Sequence, residues 1–271
     1  MTDRIFRLLG LCLLFLPVMT ANAEVRLIRE DKHAGLELWE TAMGRLWIPN
    51  ESAAAVIKHL EWEQVVQQVY HHPSAHVNRG DIVLDCGAHI GGFTRIALAA
   101  GARMVVAIEP EKQNAIALRR NFAEEIKKGS VILIEKGVWD KTGNLSLHLS
   151  TVGDSHSVTI LQNSGKDESI AVITIDALVD SLKLPKIDFI KMDIEGAEMN
   201  ALRGSRQALQ RWHPRLAISS YHKKGDPAAI CALIWETQSN YLVGSKDLLP
   251  ESKATGVPKV LFFYQKQQIT H

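Results

Sequence analysis

Asp81-Ile82-Val83-Leu84-Asp85-Cys86-Gly87-Ala88-His89-Ile90-Gly91-Gly92-Phe93-Thr94 is the stretch whose reading decides the fold. Ile82-Val83-Leu84 has the unbroken apolar run of a short strand covered on both faces. Gly87 and Gly91 let the backbone turn tightly and approach a ligand with no Cβ in the way, and residues 92–100 carry a helical apolar pattern. A strand passing through a glycine-rich turn into a helix opens a doubly wound α/β sheet, in which ligands lie outside the carboxyl ends of the strands.

The alternation continues downstream. Short apolar strands are expected at 104–108, 131–134, 187–192 and 216–218, with helices over 112–125, 175–181, 197–212 and about 228–237. The fold class is therefore α/β, a Rossmann-like doubly wound and mostly parallel sheet. Val260-Leu261-Phe262-Phe263-Tyr264 is a candidate closing strand, antiparallel at the sheet edge. Upstream, Leu36-Glu37-Leu38-Trp39-Glu40 alternates, Gly44 offers a turn, and Arg45-Leu46-Trp47-Ile48 follows, which predicts a hairpin. Asn50 or Ser52 then caps a helix reaching about Tyr70. Residues 24–79 thus read as a small hairpin-plus-helix cover ahead of a catalytic domain over 80–271. Residues 139–171 look irregular, and because long loops in compact domains are often functional, Ser155 and His156 are candidates for an acceptor pocket.

The bulk numbers set bounds. A chain of 271 residues, 46% of them hydrophobic, suffices for one generous domain with a sizeable core. Thirty-one basic residues against thirty acidic ones leave a net charge of +1, without the basic excess of a nucleic-acid binder. Residues 1–23 read as a secretory signal: Arg4 and Arg7, an apolar run over 8–19, and Ala21-Asn22-Ala23 as a cleavage site. That run of 12 is short of the roughly 20 residues a spanning helix needs, so export by a cleavable signal outranks an uncleaved membrane anchor. Cys86 and Cys231 would then remain, too few for a disulfide framework and read as buried thiols.

Asp85 discriminates between ligands. The dinucleotide fingerprint is G-x-G-x-x-G, whereas this loop spaces Gly87 and Gly91 four apart and is led by an aspartate. A carboxylate aimed into a pyrophosphate cradle would repel it, but it suits the sulfonium and ammonium of S-adenosylmethionine. Glu109, 24 positions on at the end of the next strand, stands where an acid accepts hydrogen bonds from ribose hydroxyls.

Three blocks resemble the FkbM family of methyltransferases: Ile82 through Thr94 as quoted above, Val106-Ala107-Ile108-Glu109-Pro110, and Asp188-Phe189-Ile190-Lys191-Met192-Asp193-Ile194-Glu195-Gly196-Ala197-Glu198. The third is the most distinctive, and the likeness spans residues 81–222. The resemblance implies S-adenosylmethionine as methyl donor and a hydroxyl acceptor, often on a sugar or a polyketide-type product. It implies donor contacts at Asp85, Gly87, His89 (through its backbone), Gly91, Glu109 and Val138, the last beside the adenine. It also places Asp193 and Glu195 beyond the fourth strand, next to the transferred methyl. Candidate bases are Asp193, Glu195 and His222, of which histidine needs the least pKa adjustment near neutral pH. Glu198 reads as either a further candidate or a first-turn acid favoured by the helix dipole. Lys191 interrupts an apolar strand, so it calls for a structural ion pair. Asp193, Glu195 and His222 also have donor atoms for a divalent ion, an alternative to the metal-free reading adopted. Two other functions compete: an NAD-dependent oxidoreductase, disfavoured by the Asp85-led loop, and an inactive binding module, suggested by export away from a cytosolic donor.

Overall fold

The computed structural model describes residues 25–149, 158–159, 168–246 and 259–266. The amino-terminal segment 1–23, and with it the signal and its cleavage site, lies outside the described residues, as do Ser155 and His156.

Strands β1 (Arg26–Asp31), β2 (Leu36–Thr41) and β3 (Gly44–Pro49) pair antiparallel in that order. The hairpin is β2–β3. The added strand β1 is charged and largely exposed, which is why no apolar alternation announces it. Helix α1 (Ala53–Leu60) grows from a 3-10 turn over Asn50–Ser52, so both expected capping residues lie inside the helical segment. It continues as a π-helical turn over Glu61–Val66 and ends before Tyr70. Leu36, Leu46, Ile48, Ile57 and Leu60 pack this cover against Ile90 and Ala117.

The main unit runs β4 (Ile82–Cys86), α2 (Gly92–Ala99), β5 (Met104–Ile108), α3 (Lys112–Asn121), α4 (Ala123–Lys128) and β6 (Val131–Ile134). A small antiparallel ribbon follows: β7 (Gly137–Val138), β8 (Gly143–Leu149), β9 (Val158–Thr159) and β10 (Glu168–Ile173), in the order β7-β10-β8-β9 with β7 parallel to β10. The chain then forms α5 (Ile175–Leu182), β11 (Phe189–Met192), α6 (Glu198–Arg203), α7 (Arg206–Trp212), β12 (Arg215–Ser219), α8 (Asp226–Thr237), β13 (Leu242–Lys246) and β14 (Val260–Tyr264). The large sheet has the order β13-β14-β12-β11-β4-β5-β6. Only β14 opposes its neighbours, so this is the doubly wound, mostly parallel sheet expected.

Three expectations need correction. The strand Val260–Tyr264 is antiparallel but interior, paired to β12 on one side and β13 on the other. Its Phe262 and Phe263 are fully buried, whereas Leu242 and Val243 of the true edge strand are exposed. The stretch from Trp139 on is not wholly irregular, because β8 and β10 pair over five positions. Each long helix is also two. Phe122 leaves helical geometry between α3 and α4, with its ring lodged against Gly91. Between α6 and α7, the carbonyl of Gly204 accepts from the N–H of Asp176.

Alternate side chains serve the two faces, as the pleat requires. Leu84, Val106, Ile190 and Leu216 face Ile175, Leu202 and Ile234, while Val83, Val105, Phe189 and Ala217 face Phe93 and Ala97. The second face also carries two charges, because parallel pairing of β4 with β11 sets Asp85 beside Lys191. Their side chains are 0% and 6% exposed and the Nζ to Oδ1 distance is 3.2 Å. The other Asp85 oxygen accepts from the Thr94 hydroxyl at 2.6 Å, and Lys191 donates to the Gly87 carbonyl at 2.7 Å. The structural ion pair read from the sequence is therefore present.

Removing one partner strands the other in the core. Lys191→Met is expected to lower the unfolding free energy by about 3–5 kcal/mol in urea titration, with part recovered in Asp85→Asn/Lys191→Met. A loss within error for the single variant would show that the pair holds nothing together.

Candidate active site

The site forms where the order of the large sheet reverses, beyond the carboxyl ends of β4, β5, β11 and β12. Gly87 has φ +78°, and a Cβ there would stand 1.9 Å from the Asp193 carbonyl oxygen. The glycine loop and the Asp193 segment thus touch at a point that admits no side chain. Gly91, at φ +95°, has the Phe122 ring where its Cβ would be. His89 also adopts a left-handed conformation, φ 52°, and its N–H donates to Glu109 at 2.8 Å.

Glu109 is buried and also accepts from the N–H of Glu111 at 3.0 Å. Burial drives its carboxyl up from 4.5 to about 7, against the pull of those two N–H groups. The acid at the end of β5 is thus tied to the glycine loop that starts from β4. Asp85 is a different case. The sequence suggests that it faces the donor, but its carboxylate is wholly buried and engaged by Lys191 and Thr94. It supports the loop from beneath. Val138, expected beside the adenine, is likewise buried, within the main apolar cluster, because β7 is pinned to β10.

The acidic segment follows β11. Glu195 and Gly196 are consecutive left-handed residues, φ 56° and 91°, and this sharp turn brings Glu198 of α6 back toward Asp193. Glu198 is fully buried and accepts from the Ile194 N–H at 3.0 Å. His222, three residues past β12, enters the middle of the group. Its Nδ1 lies 3.0 Å from Glu198, and its Nε2 lies 3.4 Å from both Asp193 and Glu195. Burial favours the neutral ring, but the Glu198 carboxylate, then Asp193 and Glu195, raise its pKa to about 9. A ring that is charged at neutral pH does not fit the basis on which histidine was favoured. Burial raises Glu195 to about 7 despite the attraction of His222. Asp193 ends below its ordinary value: burial pushes it up, but Lys191, His222 and a hydrogen bond from Tyr70 outweigh that.

The structure brings Asp193, Glu195 and His222 together as the sequence suggests, and it adds Glu198. It also adds two residues that no motif marked. The Tyr70 hydroxyl bridges Asp193 at 2.5 Å and Glu63 at 3.0 Å, so the amino-terminal cover reaches into the site. His71, His72 and His76 stand apart, with His71 and His76 stacked on each other and His72 stacked on Phe262 and Tyr264.

A seven-stranded doubly wound sheet with one reversed strand, a glycine turn after its first strand and an acid closing the second has the architecture of the class I methyltransferases. Residues 85–242 match the family model described as Methyltransferase FkbM domain, and the chain belongs to that family. It is similar to the hexuronic acid methyltransferase AglP of Haloferax volcanii, 27% identical over 158 residues, which are 58% of this chain and 63% of that protein. The match thus spans less than two thirds of that relative. Among solved structures, the methyltransferase FkbM of Methylobacillus flagellatus shares the fold, with a TM-score of 0.56 and 24% identity over 73% of this chain and 47% of that one.

The Glu109 carboxyl gives the fold a pH signature. Its folded-state pKa of about 7 exceeds the ordinary 4.5, so the folded state holds the proton more tightly and this residue's contribution to stability falls as pH rises through that window. In urea titrations Glu109→Gln should gain on the parent protein between pH 5 and 7.5. A pH-independent difference would contradict the raised pKa.

Proposed function

We propose that the protein is an S-adenosylmethionine-dependent O-methyltransferase whose acceptor is a small-molecule hydroxyl, of sugar or sugar-acid type. One observation carries the reading: Gly87 packs against the Asp193 carbonyl, so the glycine loop, with Glu109 tied to it, adjoins the acidic segment beyond the carboxyl ends of the central strands. The donor then lies over Gly87, His89 and Gly91 with its ribose toward Glu109, and its sulfonium methyl points toward Asp193 and Glu195. A cationic donor is compatible with that acidic wall, whereas a pyrophosphate is not. The similarity to the hexuronic acid methyltransferase of Haloferax volcanii supports an acceptor of hexuronic type.

Methyl transfer demands chiefly alignment of the acceptor oxygen, the methyl carbon and sulfur. The oxygen forms the new bond to carbon as the carbon–sulfur bond breaks, and the donor leaves as a neutral thioether. The hydroxyl proton passes to a carboxylate. Among the clustered acids, Glu195 is the most exposed, at 34%, against 18% for Asp193 and 1% for Glu198, so it is the one that an incoming acceptor meets. His222 and Glu198 hold the group in register.

Residues 1–23 would direct export, with the mature chain beginning at Glu24. Among the described residues no helix is long and apolar enough to cross a membrane. Amino-terminal sequencing of protein from its natural source should begin at Glu24, and an intact Met1 would reject cleavage.

Calorimetric titration tests the donor. S-Adenosylmethionine should bind one per chain, Glu109→Ala should weaken it at least tenfold, and NAD should give no heat. No binding to the parent protein would sink the methyltransferase reading, and equal binding by Glu109→Ala would remove Glu109 from the ribose site.

A further inference from the structure

Asp193, Glu198 and His222 come from three separate elements, the end of β11, the start of α6 and the segment after β12. Each offers one donor atom within 4.8 Å of the other two. What separates this group from an ordinary ion-pair cluster is how poorly the imidazole is served. His222 is 8% exposed, and neither ring nitrogen has a hydrogen-bond partner among the described residues, nor does Oδ1 of Asp193. Carboxylate oxygens stand 3.0 to 3.4 Å from the ring nitrogens but outside hydrogen-bonding geometry. Buried polar atoms left so are costly unless something else satisfies them. With one donor atom taken from each residue the three lie within 4.8 Å of one another, and a cation about 2.1 Å from each would draw them in to roughly 3.0–3.4 Å.

Charge points the same way. Asp193, Glu195 and Glu198 gather around one imidazole, and Glu63 adds a fourth acid behind Asp193, across the Tyr70 hydroxyl. The nearest ammonium groups are engaged elsewhere, Lys191 with Asp85 and the Gly87 carbonyl, and Lys223 with the carbonyl of Gly196. The excess is negative, largely buried and open to solvent mainly at Glu195.

We propose that Asp193, Glu198 and His222 bind one divalent first-row cation, of the Mn2+ type. Two carboxylates and one imidazole suit such an ion better than Mg2+, which favours an all-oxygen shell. Tyr70, hydrogen-bonded to the second oxygen of Asp193, orients that ligand from outside, as partners of metal ligands commonly do. Bound there, the cation would hold an acceptor hydroxyl and ease loss of its proton beside Glu195. That role in turnover rests on the methyl-transfer reading, but the binding site itself does not.

The test reads metal binding alone. Full-length protein freed of metal with a chelator is titrated with Mn2+, and free ion is followed by its electron paramagnetic resonance signal without donor or acceptor. One ion per chain is expected, with affinity at least tenfold weaker in Glu198→Gln and in His222→Ala. Should His222→Ala fail to fold, as judged by loss of a cooperative urea unfolding transition, Asp193→Asn takes its place with the same expected loss. No bound ion at millimolar Mn2+, or parental affinity in the folded variants, overturns the proposal. A protein that binds the donor but no Mn2+ loses only this inference, and one that binds Mn2+ but no donor loses only the methyl-transfer reading.

Discussion

A single buried ion pair sets the geometry at the carboxyl ends of the central strands. Asp85 and Lys191 are neighbours because β4 and β11 pair in parallel, and desolvating both charges is tolerable only while they face each other. Lys191 does more than neutralise. Burial opposes its charge, but Asp85, Asp193 and Glu63 together hold the ammonium above the usual lysine value. By donating to the Gly87 carbonyl it also fixes where the glycine turn begins. The loop that would receive a donor and the acids that would meet an acceptor are thus registered on one side chain in the middle of the core.

Much of this was legible in the sequence, and the reasons are physical. Strands buried on both faces read as unbroken apolar runs, so β4, β5 and β14 fall where those runs lie. Where one face meets water the signal fades. β1 is a charged ribbon, and β8 and β10 intersperse Asn144, Ser146 and Ser169 among their apolar residues. Helix breaks hid for another reason. Phe122 is as apolar as a helix interior requires, and only the place of its ring under Gly91 forces the chain out of line.

The site divides the same way. Its acids and His222 stood in or near a dense motif and could be picked out by type. Their orientation could not. Asp85 shows it best, because an aspartate before a glycine turn suits a donor ligand and a foundation equally well, and only a lysine 106 positions away decides between them. Tyr70 and Glu63 escaped notice because the Tyr70 contact to Asp193 spans 123 positions and joins a segment without chemical motifs to one rich in them.

That contact bears on what counts as the unit of this protein. The family match begins at residue 85, yet a phenol from residue 70 holds an oxygen of Asp193. The matched segment is therefore not a portable cassette. Transplanted onto a different leader it would keep its sheet and glycine turn but lose one of the contacts on its central aspartate. A change in the reach of the cover would alter the setting of the motif.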